Sequence, residues 1–273
     1  FYCFRRFEKV MPKKKPDTIT LSQYSLLSSF TAADLAGNAS SFTYSSSANL
    51  KLWLDIASTI TDRSTESSRI TSAAYEGTTT NFTTSLGGNY TFNTAKFDDS
   101  ENINAKITYV SAPPPISPTD GSGNNKSFSL SLWFQRNSDH ASSSFSVGGL
   151  FSLGSSTKNE EVQVKINENN GALTFVVRDT NNGQFFQATC TVATASFHDK
   201  FAHLVCTYDH SIGTHEGLKV YINGVDQSAT TGGAGTPIVR GDVNTLFIGA
   251  LYNGTSEFDG NISEVSYFLD KVL

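Results

Sequence analysis

The chain has 273 residues, 38% hydrophobic and only 16% charged, with 25 acidic against 20 basic side chains for a net charge of -5. That is enough chain to bury a full core in one domain, and it lacks the concentrated basic surface with which a general nucleic-acid binder neutralises phosphates. No apolar run approaches the ~20 residues of a membrane span, and no secretory-signal pattern is found.

The sequence opens FYCFRRFEKV before its single methionine, Met11, which Pro12 follows. Residues 1–10 read as lying upstream of a start at Met11, the alternative being a basic, aromatic extension or a piece of a longer polyprotein. Residues 11–48 begin with a Lys cluster between Pro12 and Pro16 and become rich in Ser and Ala. They read as an arm, either ordering against a partner through Leu21, Leu26, Leu27 and Phe30 or serving as a disordered leader. The expected division is an N-terminal arm over 1–48 and a compact domain over 49–273.

That domain begins with LKLWLD (50–55), where Leu50, Leu52 and Leu54 share one face and Trp53 takes the other. TDRSTESSRI (61–70) is a polar loop, and NTAKFDDSENI (93–103) ends a strand in an acidic turn. APPPISPTDGSGNNK (112–126), with four prolines, is a surface loop. FSLSLWF (128–134) alternates throughout, with Phe128, Leu130, Leu132 and Phe134 against Ser129, Ser131 and Trp133, which makes it the best central strand. GGLFSLGS (148–155), VQVKI (162–166), ALTFVVRD (172–179), QFFQATCTVA (184–193) and AHLVCTY (202–208) continue at sandwich spacing, with turns at Asn169-Asn170-Gly171 and Asn181-Asn182-Gly183. In LKVYINGVDQ (218–227), Leu218, Val220 and Ile222 face one way, and Asn223-Gly224 suits a type I′ hairpin turn. Helix-period patterning is nearly absent, and no internal repeat is found.

Taken in order, HLVCTYD (203–209), LKVYING (218–224) and TLFIGALYNGTSEFDGNISEV (245–265) resemble the C-terminal half of the laminin G-like and pentraxin-like jelly rolls of the concanavalin A-like superfamily. The likeness extends over about 49–273. It implies an all-β, two-sheet antiparallel jelly-roll sandwich, a fold that hosts many functions. The pentraxin disulfide is not implied, since Cys206 matches one partner while Ser131 stands in place of the other. Whether Cys190 and Cys206 pair with each other or stay free is left open.

Catalytic sets are hard to assemble. Glycoside hydrolysis needs two carboxylates across a cleft, and the Glu-x-Asp-x-x-Glu run common in this superfamily is missing; Glu160, Glu161 and Glu168 form a surface cluster at a hairpin start. No serine sits in an elbow motif and no histidine is placed to activate a cysteine. His203 reads as a structural histidine, and His210 and His215 flank the DHSIGTH turn with no third metal ligand specified.

Calcium is the one cofactor for which the residues offer ligands, as a single structural ion at the Asp98 loop and not as the two-ion site of pentraxins. Asp98, Asp99, Glu101 and Asn102 gather oxygen ligands in one loop where pentraxins contribute an Asp-Asn pair. The second half of the pentraxin site is replaced by Ala250-Leu251-Tyr252-Asn253, of which Asn253 alone offers a side-chain oxygen, with Glu257 and Asp259 nearby. For a sugar ligand, Tyr252, Asn253 and Phe145 make the expected contact patch, a ring for the pyranose face and an amide for its hydroxyls; Phe258 matches the core-facing aromatic of the family's FDG element. Six Asn-x-Ser/Thr sequons, at Asn38, Asn81, Asn89, Asn125, Asn253 and Asn261, are close to chance in so Asn- and Ser-rich a chain.

The expected function is therefore a non-catalytic adhesion or structural module contacting glycans or capsid and tail proteins, at a virion surface or outside the cell, with no nucleic-acid partner and with oligomer contacts available at sheet edges. The alternatives are a polysaccharide-degrading enzyme using Glu160 or Glu161, and a secreted calcium-dependent lectin or matrix domain.

Overall fold

Period-2 alternation drives this chain into two layers, because each strand must bury one face and has little helical pattern to bury otherwise. In a computed structural model, the described residues are 50–56, 60–62, 70–76, 81–83, 94–97, 104–109, 116–119, 124–136, 147–155, 158–167, 171–179, 183–191, 201–228, 230–237, 245–251 and 256–273. The strands are β1 (Leu50–Ile56), β2 (Ile60–Asp62), β3 (Ile70–Glu76), β4 (Asn81–Thr83), β5 (Thr94–Phe97), β6 (Asn104–Tyr109), β7 (Phe128–Arg136), β8 (Val147–Ser155) and β9 (Lys158–Asn167). They continue with β10 (Ala172–Asp179), β11 (Gln184–Thr191), β12 (Ala202–Tyr208), β13 (Leu218–Ile222), β14 (Val225–Asp226), β15 (Thr230–Ala234), β16 (Thr245–Ile248) and β17 (Gly260–Leu269).

Sheet A runs β14-β13-β12-β7-β17-β1-β2, with β5 and β4 added beside β17, and sheet B runs β15-β11-β10-β9-β8-β16-β6-β3. Among the described residues every strand pairing is antiparallel. This is the expected all-β jelly-roll sandwich. β7, the strand with the cleanest alternation, lies between β12 and β17 in the middle of sheet A, and its Phe128, Leu130, Leu132 and Phe134 are fully buried.

The layers are joined by aromatic rings. Phe128 stacks on Tyr267 at 5.2 Å within sheet A and meets Phe175 of sheet B edge-on at 6.0 Å, while Tyr267 stacks on Phe151 of sheet B at 6.2 Å. Each such side chain, fully withdrawn from water, contributes about 1.5–3 kcal/mol of transfer free energy. Phe258 belongs to this core too, edge-on to Phe134 at 6.3 Å, as its place in the FDG element implied.

Turn chemistry follows the sequence. Asn223 and Gly224 both take positive φ, 51° and 79°, closing β13 onto β14. Gly249 (φ 77°) is required on a second count, because a Cβ there would lie 2.2 Å from the Phe97 ring. Cys190 on β11 and Cys206 on β12 sit in opposite sheets as free, buried thiols. Burial pushes the Cys190 thiol up to about 11 and that of Cys206 well above the ordinary cysteine value, so both stay protonated at neutral pH.

Candidate binding face on the outside of sheet B

The core of sheet B takes Leu153, Val162, Val164, Leu173, Phe175, Val177, Phe186, Ala188, Leu246 and Ile248. Alternation therefore turns Ser152, Gln163, Lys165, Thr174, Val176, Arg178, Gln187, Thr189 and Phe247 to the other side. Register aligns these into rows. One crosses the sheet as Lys106, Phe247, Ser152, Gln163, Val176, Gln187 and Gly232, each directly opposite the next. A neighbouring row reads Lys165, Thr174 and Thr189.

The middle of the first row is withdrawn from solvent. Phe247 is 4% exposed, Ser152 0%, Gln163 2% and Val176 1%, although Phe247 and Val176 stand outside the core cluster. Ser152 Oγ and Gln163 Oε1 are inaccessible to water and have no hydrogen-bond partner. Leaving a buried polar atom unsatisfied costs about 1–3 kcal/mol, and here two such atoms face each other across β8 and β9. The Lys106 ammonium lies 5.8 Å from the centre of the Phe247 ring at one end of the row, and Gln187 donates from Nε2 to Thr189 Oγ1 at 3.1 Å at the other. The arrangement offers an acceptor that only an O–H or N–H can satisfy, a hydroxyl that works both ways, and one apolar ring. Nothing in it is a nucleophile paired with a base.

The residues singled out from sequence fall elsewhere. Phe145, Tyr252 and Asn253, and Asp98, Asp99, Glu101 and Asn102, lie outside the described residues, as does Glu168. Glu160 and Glu161 are on β9, but their side chains are not among those described. In the described residues that flank 252–255, Gly149 N donates to Ser256 O at 2.7 Å and Phe258 N to Gly249 O at 2.9 Å. His210 and His215 are held by separate partners, Tyr208 Oη at 3.2 Å and Thr231 Oγ1 at 3.1 Å. Two sequon asparagines have their amide nitrogens engaged in the folded chain. Asn125 is buried and donates from Nδ2 to the Pro237 carbonyl at 2.6 Å, and Asn261 Nδ2 is bonded to Gln135 Oε1 at 3.1 Å.

Sequence reasoning did not name Ser152, Gln163 or Phe247. Alternation in VQVKI already turned Gln163 outward, but which outward residues become neighbours is a matter of register between strands. Among the described residues no helix is long and apolar enough to cross a membrane.

The fold has known relatives. The receptor binding domain of botulinum neurotoxin D superposes with a TM-score of 0.54 at 15% identity, over 82% of this chain and 50% of that one. The botulinum neurotoxin type G receptor binding domain gives 0.53 at 16%, over 82% and 49%, and the binding domain of Paraclostridial Mosquitocidal Protein 1 gives 0.52 at 13%, over 82% and 50%. This chain thus spans about half the length of each, and at such identity the likeness is one of fold. No curated protein matches the chain. The model of the laminin G-like family described as the concanavalin A-like lectin/glucanases superfamily matches residues 104–272, well over half of the sequence, and the chain belongs to that superfamily.

Proposed function

We propose that the protein is a non-catalytic adhesion module that binds a polyhydroxylated ligand, a glycan, on the outer face of sheet B. The observation that carries this reading is the register-matched pair Ser152 and Gln163, each buried, each without a hydrogen-bond partner, beside the Phe247 ring. Sugar hydroxyls supply the donor that Gln163 Oε1 lacks, the ring takes an apolar C–H face, and the threonine row extends the contact along a second strand direction. A low-charge module of this kind, preceded by a short Lys-bearing segment, suits a virion or phage surface, as a capsid decoration or tail-fibre component, or another extracellular setting. Calcium at the Asp98, Asp99 and Glu101 loop, with Asn253, belongs to the same proposal as a separate ligand site.

The test is a glycan array on the full chain, run in calcium and in EDTA, alongside the double variant Ser152→Ala/Gln163→Met. Binding that survives EDTA and disappears in the double variant is expected. Retention of no glycan under either condition, or binding lost in EDTA and unchanged in the double variant, overturns the assignment to sheet B.

A further inference from the structure

A sheet that does not close on itself leaves strands with one unpaired side, and proteins blunt such edges by keeping them short, charged or bulged. In sheet A the free ends are of that kind. β14, β2 and β4 are two or three residues long, and Asp226 of β14 pairs with Lys219 of β13 at 3.7 Å. At one end of sheet B, β3 slips register between Ile70 and Ser72 and finishes on Glu76. β15, at the other end, has none of these devices. It reads Thr230-Thr231-Gly232-Gly233-Ala234, without charge, proline or register shift, and pairs with β11 from Thr189 to Phe185. Among the described residues no backbone hydrogen bond reaches its far side. Gly233 and Ala234 are exposed, as are Gly235 and Thr236 beyond them.

The strand is nonetheless held from beneath. Thr231 Oγ1 and His215 Nδ1 share a hydrogen bond of 3.1 Å, and the His215 ring meets Phe186 edge-on at 6.4 Å. Its two glycines have different reasons. A Cβ on Gly233 would lie 2.6 Å from the Phe185 carbonyl oxygen and 2.8 Å from the Phe186 ring, so packing forbids a side chain there. A Cβ on Gly232 would meet nothing within 4 Å, and Gly232 is not among the residues of positive φ. Glycine weakens the interior of a strand, where β-branched residues are favoured, so neither packing nor backbone conformation accounts for Gly232.

We infer that β15 pairs antiparallel with β15 of a second copy of this chain, joining two B sheets edge to edge about a two-fold axis perpendicular to them. In the centred register Gly232 lies opposite its own counterpart and Thr230 opposite Ala234. Such an axis keeps outward residues outward, so the row that ends in Gln187 and Gly232 runs on into the same row of the second copy. A side chain at position 232 would stand as a ridge on this seam, whereas two glycines leave a flat floor between the two Gln187 amides. A foreign peptide added to a sheet edge is selected through pockets for its alternate side chains. β15 offers none, since position 232 has no neighbours to wall a pocket and position 233 is closed by Phe186. A charged edge would set like against like across the axis, and this neutral one does not. The pairing does not rest on the glycan reading; its consequence for that reading is avidity, because two glycan faces then share one surface.

The experiment is sedimentation equilibrium of the full chain without ligand, at low salt and over a range of concentrations. A five-residue edge makes an interface below the roughly 1,200 Å² of standard complexes, so the dimer is expected to dissociate on the order of tens of micromolar. Gly232→Lys and Gly232→Asp are admitted by the open space at this position. Each sets two like charges at the axis and is expected to weaken the dimer roughly tenfold or more. An equimolar mixture of the two variants is expected to associate at least as well as the native chain, because Lys then faces Asp. Val225→Lys, at an exposed position on the edge of sheet A, is expected to change nothing. A native chain still monomeric at about 1 mM, variants that dimerise as the native chain does, or a mixture no better than its components overturns the inference. Loss of glycan binding touches none of these readings, and a monomer that binds glycan overturns the dimer alone.

Discussion

Outward positions on sheet B carry long cationic and amide side chains, Lys106, Lys165, Arg178 and Gln187, around a buried row in which two polar atoms go unpaired. Those on the centre of sheet A carry serines, an indole and a neutral imidazole, and the Lys219–Asp226 ion pair of 3.7 Å appears only at the β13–β14 edge. Both sheets share one core and one alternation rule, so the inward half of every strand is constrained alike. The outward half is free of that constraint, and the two faces differ because nothing in packing forces them to agree. Where such a face retains buried, unsatisfied polar atoms that an apolar residue would avoid, folding stability does not account for them, and the proposed ligand contact would.

The largest test asks whether the two faces stand or fall together. Phe128 touches Tyr208 at 5.5 Å and Tyr267 on its own sheet, and Phe175 on the other. Phe128→Ala leaves a cavity at the joint between layers and is expected to cost about 3–5 kcal/mol, measured by urea denaturation. Ligand binding on sheet B and tryptophan fluorescence from sheet A are expected to change at the same denaturant concentration. Two separate transitions would show that the sheets do not depend on a common joint.

Acid distinguishes the faces. Burial against Trp133 lowers the His203 pKa from 6.5 to about 4, so the folded protein disfavours the proton that the unfolded chain accepts. The unfolded state therefore binds more protons between these values; His203 contributes its full stability above pH 6.5 and loses it as the pH falls toward 4, by about 3 kcal/mol in all. Stability curves between pH 7 and 4 are expected to fall with this slope in the native chain and to flatten in His203→Gln, which keeps a hydrogen-bonding group for Ser131. An unchanged slope would place the acid sensitivity elsewhere. No imidazole stands among the outward residues named on sheet B, so its face has no equivalent term.

Much of the architecture was legible in the residues. FSLSLWF announced a central strand, Asn223-Gly224 a hairpin turn, and the three C-terminal segments the superfamily, because period-2 patterning and positive-φ turns are local properties. Cys190 and Cys206 were harder. Nearness in sequence put them on consecutive strands, but those strands divide between the sheets, a topological fact that no local pattern carries. The sites were least legible of all. Loops rich in Asp, Asn and Tyr attract attention because they resemble ligand sets, whereas Ser152 and Gln163 look ordinary until register sets them side by side and the core leaves them without partners.

The smallest expected effect is the most discriminating between faces, because its sign is opposite for stability and for binding. Replacing a satisfied buried hydroxyl or amide destabilises a protein, since a partner is left behind. Ser152 Oγ and Gln163 Oε1 have no partner to leave. Ser152→Ala/Gln163→Met is therefore expected to leave the unfolding midpoint unchanged or to raise it, by about 1 kcal/mol, measured in the same urea titration. Gln135→Ala on sheet A removes the acceptor of the Asn261 bond and is expected to move stability the other way by a similar amount. If the sheet B variant were instead destabilised by 2 kcal/mol or more, the two side chains would have to be making bonds in solution, and their claim to be held open for a ligand would fail. A gain in stability accompanied by loss of glycan binding is the combination that a packing role cannot produce, because packing has no reason to keep two polar atoms where apolar ones fit better.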